Sequence, residues 1–600
     1  MSGMHGRKKI RTTEELQQAR KEREAVKIKE YNALVAECFE KIWEYRHGSG
    51  NYGGTTFGHP FLIRFQIAIP QKTEKQYDGA ALNITTRILH QNPDFYTVWN
   101  FRRLILREGV FKDASADAIQ VSLKSELDFF MQIITINPKS YWMWNHRRWC
   151  LETMPKPAWE RELALVDKML DMDARNFHGW NYRRYVISQL ARDPGMTDTQ
   201  ALRTSPALAR SEFEFTTRKV TQNFSNYSAW HNRSKLLPIV VDGIEGEEAR
   251  NEIARQGGLG GTAPLIAYRI EIELIKAAVY TDPDDSSVWL YRWWLIGRDT
   301  TPISLLGTHL TSANTVLLAF DDEISMLNPF AVLTSQGVPV PGSWRSFGSG
   351  NKVSGNLGEQ LHGYVWAFEP ETKDIPIQGV EVVVRAADLV ASRSERAWRY
   401  GEVRVRVTGE VETREGEATG SAKWYTLDRA ELLEEEVKDV RELLELEPGS
   451  KWALQTLARF LTELCHIRPA DPVNPQVEDE VITILELLQT IDPDRARRYE
   501  DWRTNLVFER ATRHLVKCVG EHGEVMFADK QPDVLDLSNL GLTHIPTPSL
   551  LLHVPRLNLK GNRLSASQAA RMLAALPLMK EMDWDGNLFV KEELDVALRD

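Results

Sequence analysis

The repeat unit of this chain is clearest in the stretch Pro138-Lys139-Ser140-Tyr141-Trp142-Met143-Trp144-Asn145-His146-Arg147-Arg148. A turn signal precedes a tryptophan, and an arginine stands three residues after it. The same arrangement recurs around Trp99, Trp180 and Trp230, and weaker copies surround Trp289 and Trp452. Between Trp99 and Trp289 the copies stand 36 to 59 residues apart. Such recurrence indicates a repeat architecture, in which each unit buries its apolar face by stacking on its neighbours.

An amphipathic segment precedes each tryptophan motif. Ile119, Leu123, Leu127, Phe130 and Ile134 have the spacing of one helix face. This pattern stops at an Asn-Pro pair, where proline cannot continue the helix. The unit is therefore predicted to be helix, tight turn, helix, and the fold class mainly α, an α-α hairpin superhelix. In the second helix we expect the arginine to stack on the indole of its own motif.

Two stretches depart from the helical period. Residues 299–425 contain runs such as Val316–Phe320 and Val380–Val384 between Gly and Pro, which predicts an inserted β-sandwich-like, immunoglobulin-like domain. Residues 516–600 carry the Leu-x-Leu-x-x-Asn-x-Leu spacing of leucine-rich repeats. Two or three such repeats are barely enough to stand alone, so we expect them to dock on the helices.

The helical repeats are thus predicted to occupy residues 1–298 and 426–515. They are interrupted at about 47–71 by an atypical stretch rich in Gly and aromatic residues. This stretch holds a formal Gly-x-Gly-x-x-Gly pattern, but a dinucleotide site needs a strand before it, and the preceding residues have helical character. An insertion or wrongly translated sequence is the favoured interpretation.

Composition narrows the function classes. A formal net charge of -10 disfavours a sequence-blind nucleic-acid binder, which needs a broad basic surface. The four cysteines are too far apart for a disulfide framework or a Cys-x-x-Cys zinc clip. Neither a signal peptide nor a run of about 18 apolar residues is apparent. We therefore expect a cytoplasmic protein that is not an integral membrane protein.

The tandem Trp-Asn-x-Arg-Arg hairpins resemble the α-subunit repeats of the protein prenyltransferase family. Within that family, the β-rich insert and the C-terminal leucine-rich repeats resemble the Rab-specific, type II branch. Further matches are Met4-His5-Gly6-Arg7, the run from Asn223 to His231, and Glu445-Leu446-Glu447-Pro448. The resemblance covers nearly the whole chain except residues 47–71.

The resemblance implies an enzyme that is active only as a heterodimer with a β subunit. The β subunit is expected to hold the catalytic zinc, and this sequence shows no cluster of His, Cys and Asp at metal-ligand spacing. The implied reaction transfers geranylgeranyl from geranylgeranyl diphosphate to C-terminal cysteines of Rab GTPases, which an escort protein presents.

Three residues of this chain are implied in the chemistry. In the family, a lysine of the second-repeat Pro-Lys-x-Tyr turn reaches the diphosphate, and Lys139 occupies that position with Tyr141 beside it. Farnesyltransferases place Tyr-His near the diphosphate in the third repeat, whereas this chain has Phe177 and His178, so the tyrosine hydroxyl is missing. His5 is a further candidate, as an N-terminal imidazole that binds the zinc of the partner subunit.

The residues alone leave blander interpretations open. The tryptophans and arginines serve repeat packing, Lys139 is equally compatible with a solvated turn lysine, and His178 with a packed histidine. The alternative functions are an α subunit of farnesyltransferase or type I geranylgeranyltransferase, which lacks the two added domains, and a non-catalytic helical-repeat scaffold.

Overall fold

The computed structural model describes fifteen parts of the chain, and both His5 and the stretch at 47–71 lie outside them. The described residues are 26, 28–38, 77–191, 202–242, 263–297, 303–347, 362–371, 380–391, 398, 401–407, 411–415, 429–468, 471, 473–518 and 525–597. The chain divides into two compact units, residues 1–219 and 220–600.

The first unit is built from helices arranged as consecutive hairpins, which confirms the predicted helical repeats. After a helical stretch at 28–38, its helices are α1 (Gly79–Gln91), α2 (Tyr96–Ile105), α3 (Ala116–Ile134), α4 (Tyr141–Thr153), α5 (Trp159–Met172), α6 (Phe177–Leu190) and α7 (Pro206–Gln222), the last of which ends just inside the second unit. A π-helical turn, Leu106–Val110, extends α2.

The motif tryptophan closes the turn of its own hairpin. Its indole Nε1–H donates to the backbone carbonyl six residues earlier, over 2.7 Å in Trp99, 3.0 Å in Trp144 and 2.9 Å in Trp180. These indoles are buried. Each tryptophan therefore fills the space between helices and also fixes the turn in front of it.

A buried arginine of each hairpin pairs with a buried glutamate on the first helix of the next hairpin. In the first unit the pairs are Arg102 with Glu126, Arg147 with Glu162, and Arg183 with Glu212. In each pair, Nε and Nη2 of the guanidinium bind the two carboxylate oxygens, the bidentate geometry that gives the strongest hydrogen bonds. The successive hairpins are therefore joined by ion pairs in their interior.

The expected stacking of each arginine on its own indole was wrong for these hairpins. The guanidinium lies instead over a phenylalanine of an adjacent helix. For Arg102 and Arg183 this is the following helix, at 4.6 Å from the Phe129 ring and 3.4 Å from the Phe215 ring. For Arg147 it is the preceding helix, at 4.7 Å from the Phe130 ring. The cause is the glutamate, because its carboxylate draws the guanidinium across to the neighbouring helix. In the second unit Arg292 does lie 5.4 Å over Trp289.

The second unit combines helices with β-sheets. Its elements are α8 (Tyr227–Asp242), α9 (Ala263–Thr281), α10 (Ser286–Ile296), β1 (Leu305–Leu310), β2 (Val316–Met326), β3 (Ala331–Leu333), β4 (Gly342–Phe347), β5 (His362–Pro370), β6 (Glu381–Arg385), β7 (Leu389–Ala391), β8 (Glu402–Arg406), β9 (Val411–Glu415), α11 (Arg429–Leu446), α12 (Lys451–Ile467), α13 (Asn474–Ile491), α14 (Ala496–Thr512), β10 (Val516–Cys518), β11 (Val525–Phe527), β12 (Val534–Asp536), β13 (Arg556–Asn558), α15 (Ala566–Ala575), β14 (Glu581–Asp583) and α16 (Lys591–Ala597).

In the described part of the stretch between α10 and α11, nine strands form two antiparallel sheets. One has the order β1-β2-β5-β4 with β7 also paired to β2, and the other has the order β3-β6-β8-β9. The two sheets bury one shared core, which includes Phe320, Trp366, Val382 and Val405. The apolar runs noted in the sequence therefore belong to two sheets packed face to face.

The helical packing continues across these strands. Arg292 of α10 pairs with Glu436 of α11, although 144 residues separate them. Arg429, the first residue of α11, donates to the carbonyls of Ile296 and Gly297 at the end of α10, both over 2.9 Å. The two ends of the β-rich stretch thus lie side by side, and the hairpin order is kept.

The C-terminal strands β12, β13 and β14 form a parallel sheet in register. The side chain of Asn562 bonds the backbone of Leu537, Leu559 and Leu542, which ties successive turns together. This region docks on α14, as expected, because Phe508 belongs to its apolar core. It also packs, through Leu552, against the outer face of the first antiparallel sheet, a contact that the sequence did not predict.

A first prediction concerns the buried ion pairs. Glu162→Ala leaves the guanidinium of Arg147 buried without its partner, so the free energy of unfolding should fall by about 3–5 kcal/mol. Glu152 pairs with Arg148 at the surface, and Glu152→Ala should cost less than about 1 kcal/mol. Urea unfolding of both variants measures the difference. Equal losses in the two variants would contradict the role assigned to the buried pairs.

His146 adds a titratable group to one of these pairs. Its Nε2 lies 3.0 Å from Glu126, and Nδ1 accepts from Arg103, so Nε2 carries the proton that Glu126 accepts. Burial lowers the pKa of His146 to about 4, although Glu126 partly opposes this. Burial by itself raises the pKa of Glu126. The hydrogen bond from His146 and the charge of Arg102 outweigh burial and lower the pKa of Glu126 to about 2.

This arrangement predicts acid sensitivity. The unfolded chain protonates His146 near its ordinary pKa of 6.5 and the folded chain only near 4, so stability falls as the pH drops below 6.5. This histidine should contribute about 2 kcal/mol to the loss between pH 7 and pH 5. Glu126, with its lowered pKa, keeps its contribution until lower pH. His146→Gln keeps an N–H donor but cannot titrate. Between pH 7 and pH 5, the free energy of unfolding of this variant should therefore fall by about 2 kcal/mol less than that of the wild type. An unchanged dependence in urea unfolding would refute this assignment.

Candidate functional site

The turn between α3 and α4 presents Lys139 to solvent on a backbone that is fixed on both sides. Pro138, directly before it, has a carbonyl that accepts from Trp144 Nε1 and from Asn176 Nδ2, each over 3.0 Å. Ser140, directly after it, is buried and donates its hydroxyl to the Pro93 carbonyl over 3.1 Å. The backbone that carries Lys139 is therefore held by neighbours in the preceding and the following hairpins.

The side chain of Lys139 is exposed. Among the residues that the structure describes, no carboxylate forms an ion pair with it. Its ammonium group is thus available to an anion that approaches this turn.

Tyr141 and His178 lie beside this turn. Tyr141 is the first residue of α4, and its ring centroid lies 6.2 Å from that of His178, the second residue of α6. The structure therefore brings together the three residues that the sequence analysis singled out.

His178 differs from Lys139 in its surroundings. Its side chain is buried, and its ring lies 3.9 Å from that of Phe177. Burial lowers the pKa of His178, while a hydrogen bond to the Lys139 backbone partly raises it. The imidazole is therefore neutral at pH 7, and it can donate one N–H but adds no positive charge to the site.

The N-terminal ends of the second helices carry exposed aromatic residues at a repeated position, and the sequence analysis did not recognise this repetition. Tyr96, Tyr141 and Phe177 each stand three residues before a motif tryptophan, and each is between 54% and 58% exposed. Ile136 and Met172, at the ends of the first helices, are exposed as well. The sequence does contain a signal for this surface, because these motif copies have an aromatic residue at the same position, three residues before the tryptophan. These five residues all lie at the turn end of their hairpins, and we term them the turn-end apolar surface.

The described ranges contain neither a metal-binding cluster nor a helix that could span a membrane. No group of three or more His, Cys, Asp or Glu side chains there is placed to hold a metal ion. Across the same ranges, every helix is too short or too polar to cross a membrane.

Comparison with known proteins shows which family this chain resembles. The description "Protein prenyltransferase alpha subunit repeat" matches residues 79–109, 123–154, 159–190, 209–239 and 268–299. A Bos taurus protein named geranylgeranyl transferase type-2 subunit alpha is 30% identical over 99% of this chain and 88% of its own length. The chain belongs to the geranylgeranyl transferase type-2 subunit α family.

Other members of the type-2 subunit α family support this assignment. The Homo sapiens protein is 29% identical over 99% of this chain and 88% of its own length. The Schizosaccharomyces pombe protein is 37% identical over 49% of this chain and 71% of its own length. Among solved structures, Candida albicans protein geranylgeranyltransferase-I complexed with GGPP aligns with 15% identity over 72% of this chain and 85% of that chain, and its TM-score of 0.35 is too low to carry an argument.

The five matched segments of this type-2 α-subunit chain coincide with the helix pairs from α1–α2 to α9–α10. The pair α11–α12 lies outside them, although Glu436 takes part in the same arginine pairing. Counted from Ser450, the residue directly before its second helix, the sixth motif has Leu454 where the others have tryptophan and Leu457 where they have arginine. Loss of that arginine explains why the repeat is weak in sequence but present in structure.

Proposed function

We propose that this chain is the α subunit of a heterodimeric Rab geranylgeranyltransferase. The complex would transfer geranylgeranyl from geranylgeranyl diphosphate to C-terminal cysteines of Rab GTPases presented by an escort protein. The supporting observation is the alignment with type-2 α subunits over 99% of this chain. Such an alignment includes the β-rich and C-terminal regions, which are not expected in α subunits of farnesyltransferase or the type I enzyme.

The two added regions are proposed to be an immunoglobulin-like domain at 299–425 and leucine-rich repeats at 516–600. The two face-to-face antiparallel sheets support the first assignment. The in-register parallel strands and the side-chain bonds of Asn562 support the second. Neither region contains Lys139, Tyr141 or His178, so both are proposed to lie outside the chemistry.

The β subunit is proposed to bind at the turn-end apolar surface. Exposed aromatic and aliphatic side chains at one end of several hairpins are typical of a protein interface. Such a complex brings the Lys139 ammonium to the edge of a site that the β subunit provides. Because catalysis then requires residues of both chains, the α subunit alone would be inactive.

Zinc is expected in the β subunit, where it would lower the pKa of the acceptor cysteine and keep a thiolate available at neutral pH. The described residues of this chain offer it no ligand cluster. His5 remains a proposed exception, as an imidazole from the N-terminal segment that binds the zinc of the partner before substrate arrives.

Lys139 is proposed to act on the leaving group. Negative charge grows on the diphosphate as the bond between carbon and oxygen breaks, so a cation placed there stabilises the transition state more than the ground state. The fixed turn backbone keeps the lysine in place before the reaction starts. Tyr141, exposed beside it, has a hydroxyl that can donate to the same diphosphate. His178, neutral at pH 7, can contribute a hydrogen bond rather than a charge.

Co-expression with candidate β subunits tests the proposal. The purified complex would be assayed with radiolabelled geranylgeranyl diphosphate and Rab, with and without escort protein. Transfer to Rab that depends on the escort protein is the expected result. Activity on free CaaX peptides would instead assign the chain to the farnesyltransferase or type I group, and failure to bind any β subunit would favour a non-catalytic scaffold.

Lys139→Ala should slow single-turnover transfer by about 10- to 100-fold, the loss typical of one group that stabilises transition-state charge. Binding of geranylgeranyl diphosphate and of the β subunit should change little. Lys124 is an exposed lysine of α3, ten residues before the end of that helix, and Lys124→Ala serves as the matched control with an unchanged rate. An unchanged rate in Lys139→Ala would remove this lysine from the chemistry.

A further inference from the structure

Asn176 connects the turn that carries Lys139 to the helix that carries His178. It is buried and stands directly before α6. Its Oδ1 accepts from the backbone amides of His178 and Gly179 over 3.1 and 3.3 Å, while its Nδ2 donates to the Pro138 carbonyl over 3.0 Å. One side-chain amide thus caps a helix and holds the peptide group directly before Lys139.

The same position has a related task in other hairpins. Directly before the second helix of its hairpin, Ser140 donates to the Pro93 carbonyl, and Ser450 in the same position donates to the Pro283 carbonyl. In both cases a hydroxyl binds the turn of the preceding hairpin. A donor at this position therefore ties neighbouring turns together, and only the turn bound by Asn176 contains Lys139.

We propose that Asn176 is a positioning residue for prenyl transfer, which acts by holding the backbone of Lys139. The inference rests on the proposed function, because it assigns Asn176 a role only through the lysine at the diphosphate. Asn176 itself is buried, and its part in this proposal is confined to the hydrogen bond that holds the backbone before Lys139.

The physical reason is the length of the lysine side chain. A small rotation of the peptide group before Lys139 is carried to the end of a four-carbon stem, where the ammonium moves by much more than the backbone. Catalytic groups displaced by about 1 Å can lose about 100-fold in rate. Removal of one neutral hydrogen bond to the Pro138 carbonyl leaves Trp144 as the remaining donor, so a partial loss is expected.

Two variants of Asn176, made in the complex with the β subunit, test the proposal. Asn176→Ala should lower the single-turnover rate by about 10-fold, which corresponds to about 1.4 kcal/mol, with little change in affinity for geranylgeranyl diphosphate. Asn176→Ser keeps a hydroxyl that can donate to the carbonyl, as Ser140 and Ser450 do, and should restore the rate to within about 3-fold of wild type, a loss below about 1 kcal/mol.

Asn226 supplies the control for a lost helix cap. It occupies the same position in the following motif and caps α8 by accepting from Ala229 over 3.2 Å. Asn226→Ala should lower thermal stability about as much as Asn176→Ala, roughly 1 kcal/mol, and leave the rate unchanged. Equal rate losses in the two variants would show a general packing effect and overturn the proposal.

The decisive comparison uses Lys139→Ala as the background. If Asn176 acts through Lys139, Asn176→Ala should cause no further loss there. A loss of the same size in both backgrounds would overturn the proposal while leaving the function intact. Absence of transfer by the wild-type complex with every β subunit would overturn the proposed function itself, and this inference with it.

Discussion

The pairing of a buried arginine with a buried glutamate of the next hairpin is the interaction on which the helical part of this protein depends. Burial of either charge alone would be strongly unfavourable, so each helix pair is stable only when its neighbour supplies the partner. The pair is bidentate in Arg102, Arg147, Arg183 and Arg233. This requirement sets the relative position of successive hairpins more strictly than apolar packing does, because a guanidinium and a carboxylate must meet in one orientation.

The tryptophans act at the other end of the same hairpins. Each indole binds the carbonyl of its own turn, and a buried Ser or Asn of the next motif can bind the same carbonyl, as at Pro138. The turns are thereby ordered along with the helices. This order also fixes Lys139, because its exposed side chain is attached to a backbone that hydrogen bonds hold on both sides.

Much of this architecture could be predicted from the sequence, and the reasons are physical. Helical period and proline positions located the hairpins, and alternating apolar runs located the strands, because both signals are local. The partner of each arginine was missed, since Glu126 and Glu162 look like ordinary charges of amphipathic helices until the fold buries them. For the site, the Pro-Lys-x-Tyr turn was found through family resemblance. Asn176 was not found, because its bond to Pro138 spans 38 residues and has no short motif.

The first antiparallel sheet has apolar side chains on both faces, one against the second sheet and the other against the C-terminal region through Leu552. Such a sheet avoids exposing apolar surface to water only while the second sheet and the C-terminal region both pack against it. A chain that ends before residue 516, whether through a premature stop or proteolysis, would expose the apolar outer face of this sheet and tend to aggregate. The solubility of the β-rich region therefore depends on the C-terminal region. A gene rearrangement that removes the C-terminal region should be tolerated best when it removes the β-rich region as well.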